Sequence, residues 1–373
     1  MHTYKKHNID WVLVGALIPI LGAGLITLHS FSEGGSAMYR QLIWVIIASG
    51  VFVLFSHLDF RFLKSSRILL WLFAFGNVLL LALFVFSTAV KGSTRWLDFG
   101  LFSLQPVDLM KIILILILAK YFSRRHIEIK HVKHILISGA YVAIPFLLVF
   151  LQPDFGSALV LLGIWFGLVF VSGISRKHLL ALVSLGIIAF LGLWLFVFEP
   201  YQKARVMSFV QPLQDIQGSG YNAYQSVIAV GSGQIFGKGI GYGTQSRLNF
   251  LPEYQTDFIF AAFSEEWGFV GASILLILYA IIIWRIIRSA LYSENNFAAF
   301  FAIGVALYLM MHIIVNVGMN IGVMPITGLP LPFMSRGGSH LIVEAMALGM
   351  VMSFRRFNRS IHKDDLHNEF LGV

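Results

Sequence analysis

The chain has 373 residues, of which 58% are hydrophobic and only 12% are charged. That balance excludes a soluble globular protein, which needs more polar surface than this to cover its core. The formal net charge of +9 is scattered over short segments, which argues against nucleic acid as a partner, and the absence of Cys excludes disulfides and thiolate metal sites.

Apolar runs approach the roughly 20 residues that cross the ~30 Å hydrocarbon of a bilayer. In chain order they fall at 11–29, 41–58, 68–87, 106–122, 135–151, 155–172, 179–198, 257–284, 297–317 and 339–354. This pattern predicts an all-α polytopic integral membrane protein with ten transmembrane helices. It is read as one domain, 1–373, with a long loop at about 199–256 and a tail at about 355–373. The run from Trp11 to Leu28 lacks a small-residue cleavage site and is read as a retained first span. An even number of spans puts both termini on one side. That side carries 18 of the 27 Lys and Arg residues, the opposite side carries eight, and Lys111 falls inside a span. Basic residues accumulate on the cytoplasmic side, so both termini are expected there. Glu33, Asp98, Asp154, Glu199, Asp215, Glu253 and Asp257 lie at or beyond the other border, so the polar chemistry is expected to face outward.

Polar motifs recur at that outer border. Before the fourth span come Arg95, Trp96, and then Gln105-Pro106-Val107-Asp108 with Lys111. Proline suits a first helical turn, and a carboxylate near the positive end of the helix dipole is favourable. Asp108 and Lys111 share a helix face and can pair, either as an ion pair at the helix mouth or as part of a site. Between the fifth and sixth spans, Asp154 suits a helix N-cap.

The segment 199–256 is too apolar and glycine-rich for a flexible linker. Its stretch Tyr221–Ile235, with Gln225 and Ser226, suits a re-entrant or interfacial element lining a cavity. Lys203 and Arg205 stand just past the seventh span, where a lipid or substrate phosphate would lie.

The next stretch, Gly237–Gly271, puts Asp257, Glu265 and Glu266 at the mouth of a span. Thr256 and Asp257 suit helix N-caps, which is one reading of them. On a continuous helix Glu265 lies roughly 80° around and about 12 Å deeper than Asp257, so the carboxylates form no tight pair. A partly desolvated carboxylate at this border is the kind of group tuned toward a working base.

Last, a Pro- and Gly-rich segment runs from Asn316 to Ser339 and includes Ser335. His340 and Glu344 follow at i, i+4 and are expected to satisfy each other. Gly304, in the ninth span, is expected to permit a partner helix to approach closely.

The wording LPE-x-x-TDFIFA-x-x-x-EE-x-G over Leu251–Gly268 resembles the SEDS family of polytopic peptidoglycan glycosyltransferases. GTQS-x-L-NFLPE resembles the family's elongation branch more than its division branch. The G-x-x-RW loop at Arg95 and Trp96, the QP-x-x-x-x-K helix start, QPD-x-G at Asp154, GSG at Gly231–Gly233 and PLPF-x-S-x-GGS at Pro330–Ser339 are similar to further family motifs. Val107 and Asp108 stand where that family has Ser and Glu.

The resemblance implies a glycosyltransferase that polymerises lipid II at the outer face of the cytoplasmic membrane. It implies a class B penicillin-binding protein as partner, and lipid II and undecaprenyl diphosphate as ligands. By the same resemblance Asp257 is the catalytic base. Arg95, Lys111 and Arg205 are candidates for the diphosphate, alone or assisted by a divalent cation such as Mg. Trp96, Asp108, Gln225, Glu253, Ser335 and Ser339 complete the expected substrate site. Two competing classes are a lipid II flippase and a non-catalytic scaffold. A flippase calls for polar lining in both membrane halves, whereas the polar residues here crowd the outer half.

Overall fold

The structure, a computed structural model, describes residues 9–31, 35–86, 95–98, 100, 103–125, 132–198, 203, 207, 209, 220–248 and 250–371, with side chains for all of these but 31, 125, 246 and 357–371. Seven helices come first: α1 (Trp11–Phe31), α2 (Ser36–His57), α3 (Ser66–Phe86), α4 (Pro106–Arg125), α5 (Val132–Leu151), α6 (Phe155–Val171) and α7 (Arg176–Phe196). The expected long loop contains α8 (Tyr221–Ser232) and the single turn α9 (Thr244–Arg247). After it come α10 (Ile259–Leu291), α11 (Asn296–Asn320) and α12 (Gly338–Leu371), the last continuing through most of the expected tail. The strands among the described residues are β1 (Leu97–Asp98) and β2 (Ser103–Leu104), paired antiparallel with Leu97 opposite Leu104.

Helices α1, α2, α3, α5, α7, α10 and α11 are long and apolar enough to cross a membrane. α6 is shorter at 17 residues, and α4 and α12 mix charged residues into their sequences. Each of the ten expected spans nevertheless overlaps one of these helices, that at 257–284 one broken at Gly268, and the protein is a multi-pass membrane protein.

The centre of the bundle is α4, whose residues Ile112–Ala119 are all buried. A helix apolar on every side belongs in the middle, and α3, α6 and α11 surround it. α1 and α11 flank α10, and α2 lies along α12. At the other extreme α7 buries none of its residues and turns an apolar surface outward. Gly304 of α11 sits inside the bundle rather than on a partner-facing surface. A Cβ there would come within 2.5 Å of Ile115 on α4, so its small size serves the α4–α11 contact.

At the end carrying the amino terminus, Asp10 ties three helices together. Its carboxylate accepts hydrogen bonds from Arg285 of α10 at 2.5 Å and from Arg355 of α12 at 2.6 Å, and from the Leu13 N–H in the first turn of α1. Burial alone would raise its pKa, but the two guanidinium groups outweigh it and hold the carboxyl below its ordinary range. A depressed folded-state pKa stabilises the fold above the unfolded value and loses that contribution as pH falls through the folded value. Asp10→Asn is therefore expected to lower the melting temperature at neutral pH. The gap from wild type begins to narrow below about pH 4, the unfolded value, and closes as the pH falls through the still lower folded value, where the wild-type carboxylate is also protonated. Melting curves that stay equally far apart at all pH values contradict this.

Candidate active site

The run Leu251–Phe258 forms turns rather than the start of a helix. The Glu253 carbonyl gathers the N–H groups of Thr256, Asp257 and Phe258 at 3.1, 3.1 and 3.3 Å. Helix α10 begins only at Ile259, with Phe258 at the cap position and no side-chain cap bond. The cap position therefore falls on neither Thr256 nor Asp257, the N-caps that the sequence allowed.

The backbone before α10 is fixed one carbonyl at a time. Gln255 O accepts from the Arg336 N–H at 2.8 Å. Thr256 O accepts from the Ser335 hydroxyl at 2.6 Å. Asp257 O accepts from Asn316 at 2.9 Å and Asn320 at 3.1 Å, both on α11. Asn320 also accepts from Ala261 N–H at 3.1 Å, and Asn316 donates to Leu329 O at 2.8 Å. Two asparagines one turn apart thus join α10, α11 and the Pro-rich loop. Asp257 itself is half-buried. Its Oδ2 lies 3.3 Å from where a Cβ on Gly328 would be, and Gly328 has φ +73°. Both the turn and the space beside the carboxylate call for glycine there.

A cleft of about 430 Å³ opens beside this turn, lined by Trp96, Ser103, Glu253 to Thr256, and Arg336 to Gly338. Trp96 and Glu253, expected from the sequence, meet there. Arg336 supplies a cation to the same cleft, with its guanidinium donating to Gln255 Oε1. Nothing in the spacing of Arg336 in the sequence says which wall it joins.

The remaining expected residues are placed elsewhere. Arg95 packs on the α5–α6 turn: it donates to Pro153 O and lies 3.8 Å from Asp154, which caps α6 by accepting from the Ser157 N–H. Ser335 and Ser339 position backbone, the latter by accepting from the Gln105 N–H at 3.1 Å. Asp108 and Lys111 do pair, at 2.9 Å, but each is only 1% exposed. Lys111 also reaches His312 Nε2 at 3.2 Å. Sealed in this way, Lys111 is not open to a headgroup, which corrects the direct diphosphate contact expected of it. Gln225 is half-buried on α8 and is not among the residues lining the cleft. Arg205 lies outside the described residues.

The other two carboxylates of α10 hold the loop. The helix breaks at Gly268, where φ is 65° and ψ is −167°, so the expected span at 257–284 is two helical pieces. Segment 234–239 docks into the break. Phe269 and Val270 donate to Gln234 O and Ile235 O, and Lys238 and Gly239 donate to Glu265 O and Glu266 O, at 2.8 to 3.1 Å. Glu265 accepts from Lys238 Nζ at 2.7 Å, Thr244 at 3.1 Å and Gln245 N–H at 3.2 Å; Glu266 accepts from Gly241 N–H at 2.6 Å. Non-helical backbone at membrane depth is stable when its polar groups are satisfied within the protein, as here. The expected His340–Glu344 pair does not form. His340 bonds Ser335 O at 3.2 Å and Glu344 accepts from Phe333 N–H at 2.9 Å, because the Pro-rich loop folds back over both.

The sequence pattern of the FtsW/RodA/SpoVE family, described as cell cycle protein, matches residues 6–360. Stage V sporulation protein E of Bacillus subtilis (strain 168) is 33% identical over 367 residues, covering 96% of this chain and 100% of that protein. Peptidoglycan glycosyltransferase MrdB of Escherichia coli (strain K12) is 34% identical over 362 residues, covering 96% and 97%. Among solved structures, a chain from work on the structural coordination of polymerization and crosslinking by a peptidoglycan synthase complex superposes with a TM-score of 0.80. It is 31% identical, and the match covers 94% of this chain and 98% of that one. With sequence, fold and chain length all matched from end to end, the chain belongs to the FtsW/RodA/SpoVE family.

Proposed function

We propose that the protein is a peptidoglycan glycosyltransferase of the elongation branch. It polymerises lipid II into glycan strands at the outer face of the cytoplasmic membrane, with both termini in the cytoplasm. The observation that carries this reading is the seating of Asp257. Its backbone is anchored through three successive carbonyls, the helix cap position falls on the next residue, Phe258, and its chain neighbour Thr256 lines the cleft.

Glycosyl transfer needs a base for the acceptor hydroxyl and cationic surroundings for a departing diphosphate. Asp257 takes the acceptor proton. Arg336, in the cleft wall, and Arg95 supply positive charge, and Arg205 remains a candidate from the sequence. Trp96 offers an apolar face to the sugar chain, and Glu253 an acceptor for its hydroxyls. Attack on the anomeric carbon from the side opposite the diphosphate inverts it and yields a β-linked strand. A divalent cation, where one takes part, meets a poor protein ligand set: among the described residues no group of three or more His, Asp or Glu side chains is placed to hold one. One or two carboxylates plus substrate phosphates remain a workable set for Mg. No step here is routed through it.

The partner we propose is a class B penicillin-binding protein, which supplies the crosslinking activity. The test is incubation of purified protein with labelled lipid II, with and without its cognate partner. Glycan strands are expected, and more of them with the partner. Folded protein that makes no polymer but moves lipid II across vesicle membranes would replace this reading with a flippase.

A further inference from the structure

We propose that Glu344 is a positioning residue for this reaction: its buried carboxyl holds the backbone turn at Phe333, and through that turn the loop that seats Asp257. The proposal rests on the reading of Asp257 as the base. Phe333 has φ +60°, a left-handed conformation that crowds any residue with a Cβ. Such a conformation persists where its surroundings over-determine it.

Here the surroundings are specific. Glu344 Oε2, fully buried on α12, accepts from the Phe333 N–H at 2.9 Å. On the preceding residue, Pro332 O accepts from the Tyr279 hydroxyl at 2.5 Å. Two residues further on, the Ser335 hydroxyl accepts from Leu331 N–H at 2.8 Å while donating to Thr256 O at 2.6 Å. Arg336 N–H then donates to Gln255 O. The chain of contacts from Glu344 to the residue beside Asp257 is therefore short and continuous.

The second carboxyl oxygen, Oε1, has no hydrogen-bond partner among the described residues. Glu344 is thus not one half of an ion pair, and its contact with Phe333 N–H is what it contributes to the loop. Without that acceptor a buried N–H is left unpaired and the left-handed turn loses its clamp. The turn then relaxes toward commoner backbone angles, which moves Ser335 and Arg336 away from the carbonyls they hold. A shift of about 1 Å at a catalytic group is enough to cost on the order of 10²-fold in rate.

The experiment compares wild type, Glu344→Gln, Glu344→Asp and Glu344→Ala as full-length proteins with the cognate partner, reading kcat and KM on labelled lipid II together with melting temperature. Gln keeps an acceptor at the same reach; Asp keeps the carboxyl but falls one methylene short. Folded Glu344→Asp and Glu344→Ala are expected to lose about 10- to 100-fold in kcat with KM within about twofold, and Glu344→Gln to retain at least about half of kcat. Normal kcat in Glu344→Asp, a defect in Glu344→Gln equal to that of Ala, or a loss confined to KM overturns the proposal. If Glu344→Ala does not fold, the Gln and Asp variants decide it. Wild-type protein inactive on lipid II, by contrast, removes the glycosyltransferase reading and this inference along with it.

Discussion

Asp257→Asn is expected to give a folded, partner-binding protein whose polymerisation of lipid II falls by at least ~10²-fold, the low end for a positioned acid–base group. The amide matches the carboxylate in size, so the space beside Gly328 is preserved. The anchors on residue 257 use its backbone carbonyl, which the substitution does not touch. No helix cap is lost, since the cap position belongs to Phe258 and makes no side-chain bond. Stability should therefore stay near wild type while the group that accepts the proton disappears. An amide cannot hold and release a proton at neutral pH. Near-normal glycan synthesis by this variant, with wild-type melting, would remove Asp257 from the chemistry.

Lys111→Ala acts on a different quantity. The sequence leads to an expectation of reduced activity with intact folding, but burial changes that. Lys111 and Asp108 are each 1% exposed, and Lys111 is among the largest fully buried side chains. Removing one partner of a buried pair strands the other charge, which costs roughly 3–5 kcal/mol. Asp108 Oδ2 has no other partner among the described residues to soften this. The variant is expected to unfold at much lower denaturant concentration, with activity lost along with the fold. The double variant Asp108→Asn with Lys111→Met removes both charges and keeps most of the volume, so it should recover most of the stability. If Lys111→Ala melts like wild type, the pair contributes little, and the diphosphate role from which it has been removed returns to consideration.

What was legible beforehand depended on how local the signal was. All ten spans fall on helices because crossing a bilayer is a requirement on one segment at a time. Length and apolarity decide it outright for seven of them. The Asp108–Lys111 pair and the Asp154 cap were legible for the same reason, since their partners lie three residues away. His340 and Glu344 had the right spacing too, but a loop competed for both side chains and won. Spacing permits a pair; it does not forbid a better partner. Gly304 fails similarly, because whether a small residue meets a partner protein or Ile115 depends on which helix is already there.

Sequence by itself determined the class of protein, the segments that form its apolar helices and the motifs that carry the family resemblance. Each of these follows from composition or from residues near one another in the chain. The tertiary structure alone decided which polar groups line the cleft and which are spent on holding it. Arg336 and Trp96 share a wall although 240 residues separate their numbers. Asn316 and Asn320 fix the carbonyl of a residue some 60 positions earlier. The two glutamates that follow Asp257 in the sequence fasten a loop at a helix break. The physical reason is the same in each case. A buried hydrogen-bonding group must find a partner somewhere, and only the folded chain determines which partner is within reach.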